Sequence, residues 1–262
     1  ERKNISIPDE NKILFNNSYD KIKDLYSKMS NSKNIGKLEL FILEKIKKSY
    51  EKFFLNEKLE PDDMVLKQHE NLEFNQLSEA KHLRYLKYRY KFNIYPKIKK
   101  IDSYPPVIQI EPTSICNYRC IMCYQSDKSF SSKSNGFMGH MSMNTFYKII
   151  DEVEGNVEAI TFASRGEPTL NKDFSKMLKY CESKFLALKL NTNASMLNER
   201  LINEILSSDL QTIVFSIDEK DKEKYEKIRV NGKFEKIIKN LELFNEIRTK
   251  KYSRADKIVR IS

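Results

Sequence analysis

The amino-acid sequence predicts an α/β fold in which helices cover parallel strands, preceded by a mainly helical, Lys-rich region. After about residue 105, short apolar runs alternate with segments whose apolar residues recur at i, i+3, i+4 and i+7. This alternation is typical of parallel strands joined by right-handed crossover helices. Before residue 100 no strand–helix repeat is present, and apolar residues keep near-helical spacing. We therefore expect a helical region over residues 1–100 and an α/β domain over residues 105–262.

Five predicted strands alternate with helices in the second region. Each strand is a short apolar run, and each helix carries its apolar residues on one side. Ser142 and Asn171 stand where helix N-caps are favoured, and Gly155 ends the first of these helices. The predicted strands are residues 107–111, 157–163, 185–192, 212–218 and 257–261. The predicted helices are residues 142–155, 171–181, 198–206, 220–228 and 233–249, and residues 124–141 form a polar loop.

The first region contains one clear helix and one basic segment. Residues 36–55 carry apolar side chains near helical spacing, and residues 81–100 hold eight basic residues, no acidic residue and five aromatic residues. Such a segment could bind phosphates while its rings stack on bases. We favour the simpler interpretation, in which the lysines are solvated and no nucleic-acid partner is expected. The side chains then predicted to be buried are Tyr88, Tyr90, Phe92 and Ile94.

Composition and charge exclude several classes of protein. The 262 residues include 47 basic and 37 acidic ones, a formal net charge of +10, with 40% hydrophobic residues. That balance is typical of a globular protein rather than a disordered one. No apolar run approaches the ~18–20 residues that span a bilayer, and the polar first residues lack a signal-peptide core. We expect a soluble cytoplasmic protein, and the charge alone identifies no partner.

Three of the four cysteines lie within eight residues, directly after the first predicted strand. They are Cys116, Cys120 and Cys123, whereas Cys181 lies on the apolar side of a helix and is expected in the core. Clustered thiolates in a reducing compartment indicate zinc or an iron–sulfur cluster. A structural zinc site uses four ligands, and the candidate for a fourth, His140, lies in a polar loop where we expect exposure. Three thiolates without a fourth protein ligand favour a cluster with one open metal position.

Polar residues also follow the next three strands. Carboxyl ends of parallel strands meet at one edge of a sheet or barrel, so these residues are expected to share one site with the cysteines. They are Gly166, Glu167 and Pro168 after strand two, Asn193 after strand three, and Ser216 and Asp218 at the end of strand four.

These motifs resemble those of the radical S-adenosylmethionine (radical SAM) superfamily. Residues 116–123 match its C-x₃-C-x₂-C signature after the first strand, and Ser164–Pro168 resembles its G-E-P motif. Residues 191–193 and 215–218 resemble its polar strand ends. Residues 111–116 and 225–229 resemble the branch that often carries a SPASM extension. The resemblance covers about residues 105–262 and does not reach the first 100 residues.

The resemblance implies a partial (β/α)6 TIM-like barrel. Because the family core has six strands and this chain stops in the fifth, we expect an incomplete core and a fragment of a longer protein. Two residues depart from the family pattern. Arg165 stands where a glycine is common, and could bind an anionic substrate or point outward, and Met122 stands where an aromatic residue is common.

The resemblance also implies the cofactors. The three clustered cysteines would hold a [4Fe–4S] cluster whose open iron chelates S-adenosylmethionine, giving a 5′-deoxyadenosyl radical that abstracts a substrate hydrogen. A reductant such as a flavodoxin or ferredoxin is implied, and the substrate stays open among peptides, sugars and small metabolites. Glu167 would accept the methionine ammonium. The other implied cofactor-binding residues are Gly166 and Pro168 of the same motif, Asn193, Ser216 and Asp218 near the ribose or methionine carboxylate, Arg229 at that carboxylate, and Met122 and Tyr124 near the adenine.

One alternative interpretation stays open at this point. The three clustered cysteines and His140 could hold zinc in a non-catalytic module whose basic segment, residues 81–100, contacts nucleic acid. Anaerobically purified protein would be brown in the first interpretation and colourless, with stoichiometric zinc, in the second.

Overall fold

The computed structural model describes residues 9–32, 35–252 and 257–262, and the chain divides into two compact units, Glu1–Pro106 and Val107–Ser262. The described part of the first unit is mainly helical, as the sequence predicts. Its helices are α1 (Asp9–Ser30), α2 (Lys37–Phe54), α3 (Gln68–Gln76) and α4 (Glu79–Ile94).

The helices of the first unit enclose an apolar core with buried polar pairs. α1 packs on α2 and α3, and α2 packs on α4, with Ile42, Ile46 and Tyr50 of α2 fully buried. Arg89 of α4 forms an ion pair with the fully buried Glu70 of α3. A buried charge needs such a partner, so this pair joins the two helices at a fixed position.

The basic segment belongs to α4 and the turn that follows it. Burial of Tyr88, Tyr90 and Ile94 is confirmed, but burial of Phe92 is wrong, because its side chain is 45% exposed. Alternate residues share a face in a strand but not in a helix, which is the physical reason for the error. The Phe92 ring lies 5.5 Å from the Arg89 guanidinium carbon instead.

The second unit is a parallel sheet with the strand order β1-β2-β3-β4-β5. Sequential parallel strands joined by helices are the core of a TIM-like barrel, and the predicted fold class is confirmed. The strands are β1 (Val107–Ile110), β2 (Ala159–Phe162), β3 (Ala187–Thr192), β4 (Leu210–Phe215) and β5 (Ile258–Ile261). The helices are α5 (Lys128–Ser131), α6 (Met143–Val153), α7 (Phe174–Tyr180), α8 (Glu199–Ser207), α9 (Lys222–Ile228) and α10 (Phe234–Lys251).

The core of this unit lies between one face of the sheet and its helices. Leu188, Leu190, Ile213 and Phe215 of the sheet are buried in it together with apolar residues of α6, α7, α8 and α10. Cys181 is fully buried in the same cluster, which confirms its predicted place in the core.

Several boundaries differ from the predicted ones for identifiable reasons. β3 begins at Ala187 because the backbone N–H groups of Leu186 and Ala187 both bond to the Glu158 carbonyl, so regular pairing starts later. Asn171 does not cap α7. Its Oδ1 accepts the Asp173 N–H at 2.9 Å, and its amide donates to the Pro112 carbonyl at 2.7 Å.

Two more boundaries change at the site. β4 ends at Phe215 rather than at residue 218 because the N–H groups of Ile217 and Asp218 both bond to the Ser262 carbonyl, so regular pairing stops before them. The predicted loop 124–141 contains the short helix α5, capped by the Asp127 carboxylate at the Ser129 N–H. Within the described ranges, no helix combines the length and apolar character that crossing a membrane requires.

Candidate functional site

The carboxyl ends of β1 to β4 border one cavity of about 400 Å³. Among the predicted site residues, only Tyr124 and Pro168 lie outside its lining. Those that line it are Cys116, Cys120, Met122, Cys123, Gly166, Glu167, Asn193, Ser216, Asp218 and Arg229. Parallel topology explains the convergence, because every crossover returns the next strand in the same direction.

The cysteine loop is held on two sides by backbone hydrogen bonds. On one side, Arg119 N–H donates to the Val230 carbonyl at 2.9 Å and Ile121 N–H to the Ile228 carbonyl at 3.0 Å. On the other side, Glu167 N–H donates to the Ile115 carbonyl at 3.0 Å. The loop after β1 is therefore tied both to the end of β2 and to the turn after α9.

All three loop thiols are free and lie at the cavity. Cys120 is buried, and Cys116 and Cys123 are part-buried. Burial raises the pKa of the Cys116 thiol to about 11, and it also raises the pKa of Cys120, against the opposing effect of the nearby Arg229 guanidinium. Arg229 Nη1 lies 3.5 Å from Cys120 Sγ, and the Tyr118 N–H lies 3.4 Å from Cys116 Sγ. Both donors suit an anionic sulfur, the form in which cysteine binds metal.

The three loop thiols do not form a site for a single metal ion. Among the residues that the structure describes, no three His, Cys, Asp or Glu side chains form a group able to hold one metal ion. In an iron–sulfur cubane each cysteine binds a different iron, so the sulfurs stand further apart than around zinc. His140 is exposed, outside the cavity lining, and bridges Thr113 through the backbone. The zinc interpretation is therefore not favoured.

Gly166 allows the two loops to touch. A Cβ at this position would lie 1.8 Å from the Thr113 carbonyl oxygen and 2.8 Å from that of Ile115. Both obstacles are backbone atoms, so no side chain fits without moving the segment that leads into Cys116.

Glu167 is a buried carboxylate surrounded by donors. Its Oε1 accepts the Thr169 N–H and hydroxyl and, at 2.6 Å, the Thr192 hydroxyl, whereas its Oε2 accepts the Asn193 N–H at 2.7 Å. Burial raises the pKa of Glu167, and these donors act in the opposite direction. Oε1 thus accepts three hydrogen bonds and Oε2 only one, so Oε2 keeps the greater remaining capacity as an acceptor.

Asn193 connects the end of β3 to the cysteine loop. Its Nδ2 donates to Asn117 Oδ1 at 3.0 Å and lies 4.0 Å from Cys116 Sγ, and its Oδ1 accepts the Ser195 N–H at 2.9 Å. Asn117 in turn donates to the Ser195 hydroxyl at 2.8 Å. This closed set of bonds fixes the position of Asn193, leaving little freedom for its side chain.

Asp218 and Arg229 pair with each other. Arg229 Nη2 lies 2.5 Å from Asp218 Oδ2, and both residues line the cavity. The buried Arg229 Nε has no hydrogen-bond partner within the described part of the chain. Ser216 is part-buried beside them, and its N–H donates to the Thr192 carbonyl at 2.9 Å.

The remaining predicted residues lie at the rim or behind the lining. Met122 is 59% exposed, and Tyr124 is 46% exposed with its ring packed edge-on against Phe130, 5.8 Å away. Pro168 is buried and begins a short 3₁₀ turn.

The sequence analysis missed Gln125 and the partner of Arg165. Gln125 is buried, and its Nε2 donates to the Ser114 carbonyl at 2.6 Å and the Arg165 carbonyl at 3.0 Å. Arg165 lines the cavity, and its Nε lies 3.2 Å from both oxygens of Glu111. The lone Gln after the cysteine motif carries no periodic or spacing signal, so only the fold identifies it.

Comparison with known proteins places these motifs in a family. Residues 110–258 match the radical SAM superfamily, whose members use a [4Fe–4S] cluster and S-adenosylmethionine. The chain is 29% identical over 113 residues to the tungsten-containing aldehyde ferredoxin oxidoreductase cofactor-modifying protein of Pyrococcus furiosus, covering 42% of this chain and 30% of that protein. It is 27% identical over 138 residues to mycofactocin maturase MftC of Mycobacterium ulcerans, covering 53% and 36%.

A solved structure shares the fold. SuiB of Streptococcus suis, bound to its precursor peptide SuiA, superimposes with a TM-score of 0.51 at 19% identity over 88% of this chain and 51% of SuiB. The matches span about a third of the two curated relatives and half of SuiB.

Proposed function

Because this chain belongs to the radical SAM superfamily, which matches more than half of its length, we propose that Cys116, Cys120 and Cys123 hold a [4Fe–4S] cluster that binds S-adenosylmethionine. The observation that carries the proposal is the single cavity into which the three thiols, Glu167 and the ends of β3 and β4 converge. Three thiolates leave one iron without a protein ligand, as the family chemistry requires. When bound, the reduced cluster and S-adenosylmethionine supply a 5′-deoxyadenosyl radical that abstracts hydrogen from a substrate.

In this proposal Glu167 Oε2 accepts the methionine ammonium. Glu167 is buried and lines the cavity, and a charged hydrogen bond at a buried site is stronger than in water. The donors on Oε1 hold the carboxylate in place, so the ammonium meets an acceptor that is already oriented. Gly166 and Pro168 shape the turn that presents it.

The opposite wall orients the rest of S-adenosylmethionine. We assign Asn193, Ser216 and Asp218 to the ribose or methionine carboxylate, and Met122 and Tyr124 to the adenine. Arg229 would meet the methionine carboxylate through its unpartnered Nε, while Asp218 keeps its Nη2 in position. Its Nη1 near Cys120 also favours the thiolate form.

The biological setting is part of the same proposal. A flavodoxin or ferredoxin would supply the electron, and a peptide, a sugar or a small metabolite would be the substrate. We assign the chemistry to residues 105–262 and treat residues 1–100 as a separate helical region. Free cysteines and an iron–sulfur cluster fit a reducing compartment, the cytoplasm.

The test is reconstitution with iron and sulfide under anaerobic conditions. Wild-type protein is expected to be brown, to hold about four irons per chain, and to form 5′-deoxyadenosine with dithionite. Replacing any of the three loop cysteines by alanine should remove the cluster. The matched control is Cys181→Ala, a buried cysteine outside the cavity, which should keep its iron. Colourless protein with stoichiometric zinc, or iron loss in the control alone, contradicts the proposal.

A further inference from the structure

The face of the sheet that looks away from the helices is polar. Along β3, Leu188 and Leu190 are buried against the helices, whereas Lys189 and Asn191 between and after them are only part-buried. Side chains alternate between the faces of a strand, and Asn191 lines the cavity, so Lys189 shares the cavity face. Barrel interiors are usually filled with branched apolar residues, and this one departs from that pattern.

Four polar residues form one row across this face. Gln109 of β1 pairs in register with Thr161 of β2, Thr161 pairs with Lys189, and Lys189 pairs with Thr212 of β4. Gln109 itself lines the cavity. The row lies two residues before Asn191, about 6–7 Å deeper along the strand. This row, which we call the floor, lies on the cavity face of the sheet below the level of the cysteine loop, and Thr161, Lys189 and Thr212 are not themselves part of the cavity lining.

Lys189 is the charge in that floor. It lies on a central strand, and within the described residues it forms no hydrogen bond or ion pair. A cation in a concave site with few opposing charges concentrates a positive potential there.

Arg165 adds a second cation at the entrance. Glu111 binds its Nε side and holds the planar group in one orientation, and the two Nη groups form no hydrogen bond with the described residues. A guanidinium fixed in this way offers a fork for an oxyanion. Arg260 of β5 is the next cation on the same face, because Asn191 pairs with Val214 and Val214 with Arg260.

The balance of charge on this face is positive. Its cations are Arg165, Lys189 and Arg260, and the acids near them are Glu111, which pairs with Arg165, and Glu167 of the cavity lining. Asp218 and Arg229 offset each other. The cavity also holds an unpartnered buried acceptor, Asn191 Oδ1, which points to a polar ligand rather than an apolar one.

We propose that the substrate carries an oxyanion group, a carboxylate or a phosphate, which Lys189 binds at the floor of the cavity and Arg165 binds at its entrance. This inference rests on the proposed function for the identity of the site and adds its substrate class. It excludes purely apolar and cationic substrates, because both would leave the ammonium desolvated without a partner.

The test titrates inorganic phosphate and acetate separately into reconstituted wild-type protein and into Lys189→Met, by calorimetry. Loss of a charge-assisted contact is expected to weaken binding of the preferred anion about tenfold or more in Lys189→Met. Lys189→Arg keeps the charge and should keep most of the binding. Lys148→Met, which removes an exposed lysine of α6, is the matched control and should bind like wild type.

The outcomes separate the possibilities. Stronger binding of phosphate assigns a phosphate-bearing substrate, and stronger binding of acetate assigns a carboxylate. Equal affinity in wild type and Lys189→Met overturns the proposal, as does an equal loss in Lys148→Met, which would indicate attraction by net charge alone. If Lys189→Met fails to fold, Lys189→Gln takes its place. Formation of 5′-deoxyadenosine by wild type, measured separately, tests the proposed function, so the two failures are distinguishable.

Discussion

Substitution of Gly166 by alanine probes the contact between the cysteine loop and the end of β2. The added Cβ would lie 1.8 Å from the Thr113 carbonyl oxygen, and real Cβ atoms stay at least 3.0 Å from such neighbours. The backbone must therefore separate by at least about 1.2 Å, the difference between these distances. That displacement lengthens the hydrogen bond from Glu167 N–H to the Ile115 carbonyl, now 3.0 Å, beyond hydrogen-bonding distance.

Two consequences are expected. Overpacking of a closed contact lowers the free energy of unfolding by about 1–3 kcal/mol, measured from urea unfolding monitored by circular dichroism. A shift of ~1 Å in the segment before Cys116 should also lower the rate of 5′-deoxyadenosine formation by about a hundredfold. Iron content after reconstitution shows whether the cluster itself is retained.

The matched control is Gly139→Ala. No atom lies within 4 Å of a Cβ at Gly139, so this variant should unfold and react like wild type. The reasoning is refuted if Gly166→Ala has wild-type stability and rate, because the loops would then separate without cost to the site.

Three further predictions concern single side chains. Glu167→Gln should keep the cluster but weaken S-adenosylmethionine binding, measured by calorimetry, about ten- to a hundredfold, because a charged hydrogen bond contributes ~1.5–3 kcal/mol. Unchanged affinity would show that Oε2 does not accept the methionine ammonium. Gln125→Ala leaves the Ser114 and Arg165 carbonyls without their donor. It should lower the free energy of unfolding, measured by urea denaturation, by about 1–3 kcal/mol. For Asp63, burial acts to raise the pKa, but hydrogen bonds from Lys52, the Glu60 N–H and Lys45 outweigh it and hold the pKa well below its usual range. The stabilisation by the Asp63 carboxylate is thus present above about pH 4 and is lost as the pH falls further. The difference in free energy of unfolding between wild type and Asp63→Asn should therefore narrow from pH 7 to pH 3. A constant difference contradicts this account.

The sequence by itself determined that the strands are parallel and which residues stand at their carboxyl ends. Strand–helix alternation forces parallel pairing, and parallel pairing brings the loops after β1 to β4 to one edge of the sheet. For that reason the cysteines, Glu167 and Asn193 could be assigned to one cavity before any coordinates were known. A local signal was also sufficient for the cap at Ser142, whose hydroxyl accepts the N–H of Thr145, three residues later.

Only the tertiary structure decided which partners these residues meet. Asp218 pairs with Arg229 because α9 returns the chain to the end of β4, and spacing alone does not encode that distance. Two of the donors to Glu167, Thr192 and Asn193, come from the end of β3, and the need for glycine at position 166 comes from the backbone before Cys116. In the sequence, nothing distinguishes Lys189 from the other residues of the third predicted strand. Its place on the cavity face follows only from the register of β1 to β4. The periodicity of a sequence shows which side of a helix or strand is buried, whereas the contacts of a side chain depend on how the helices and strands pack together. This is the physical reason why the sequence predicts the elements and the tertiary structure decides their contacts.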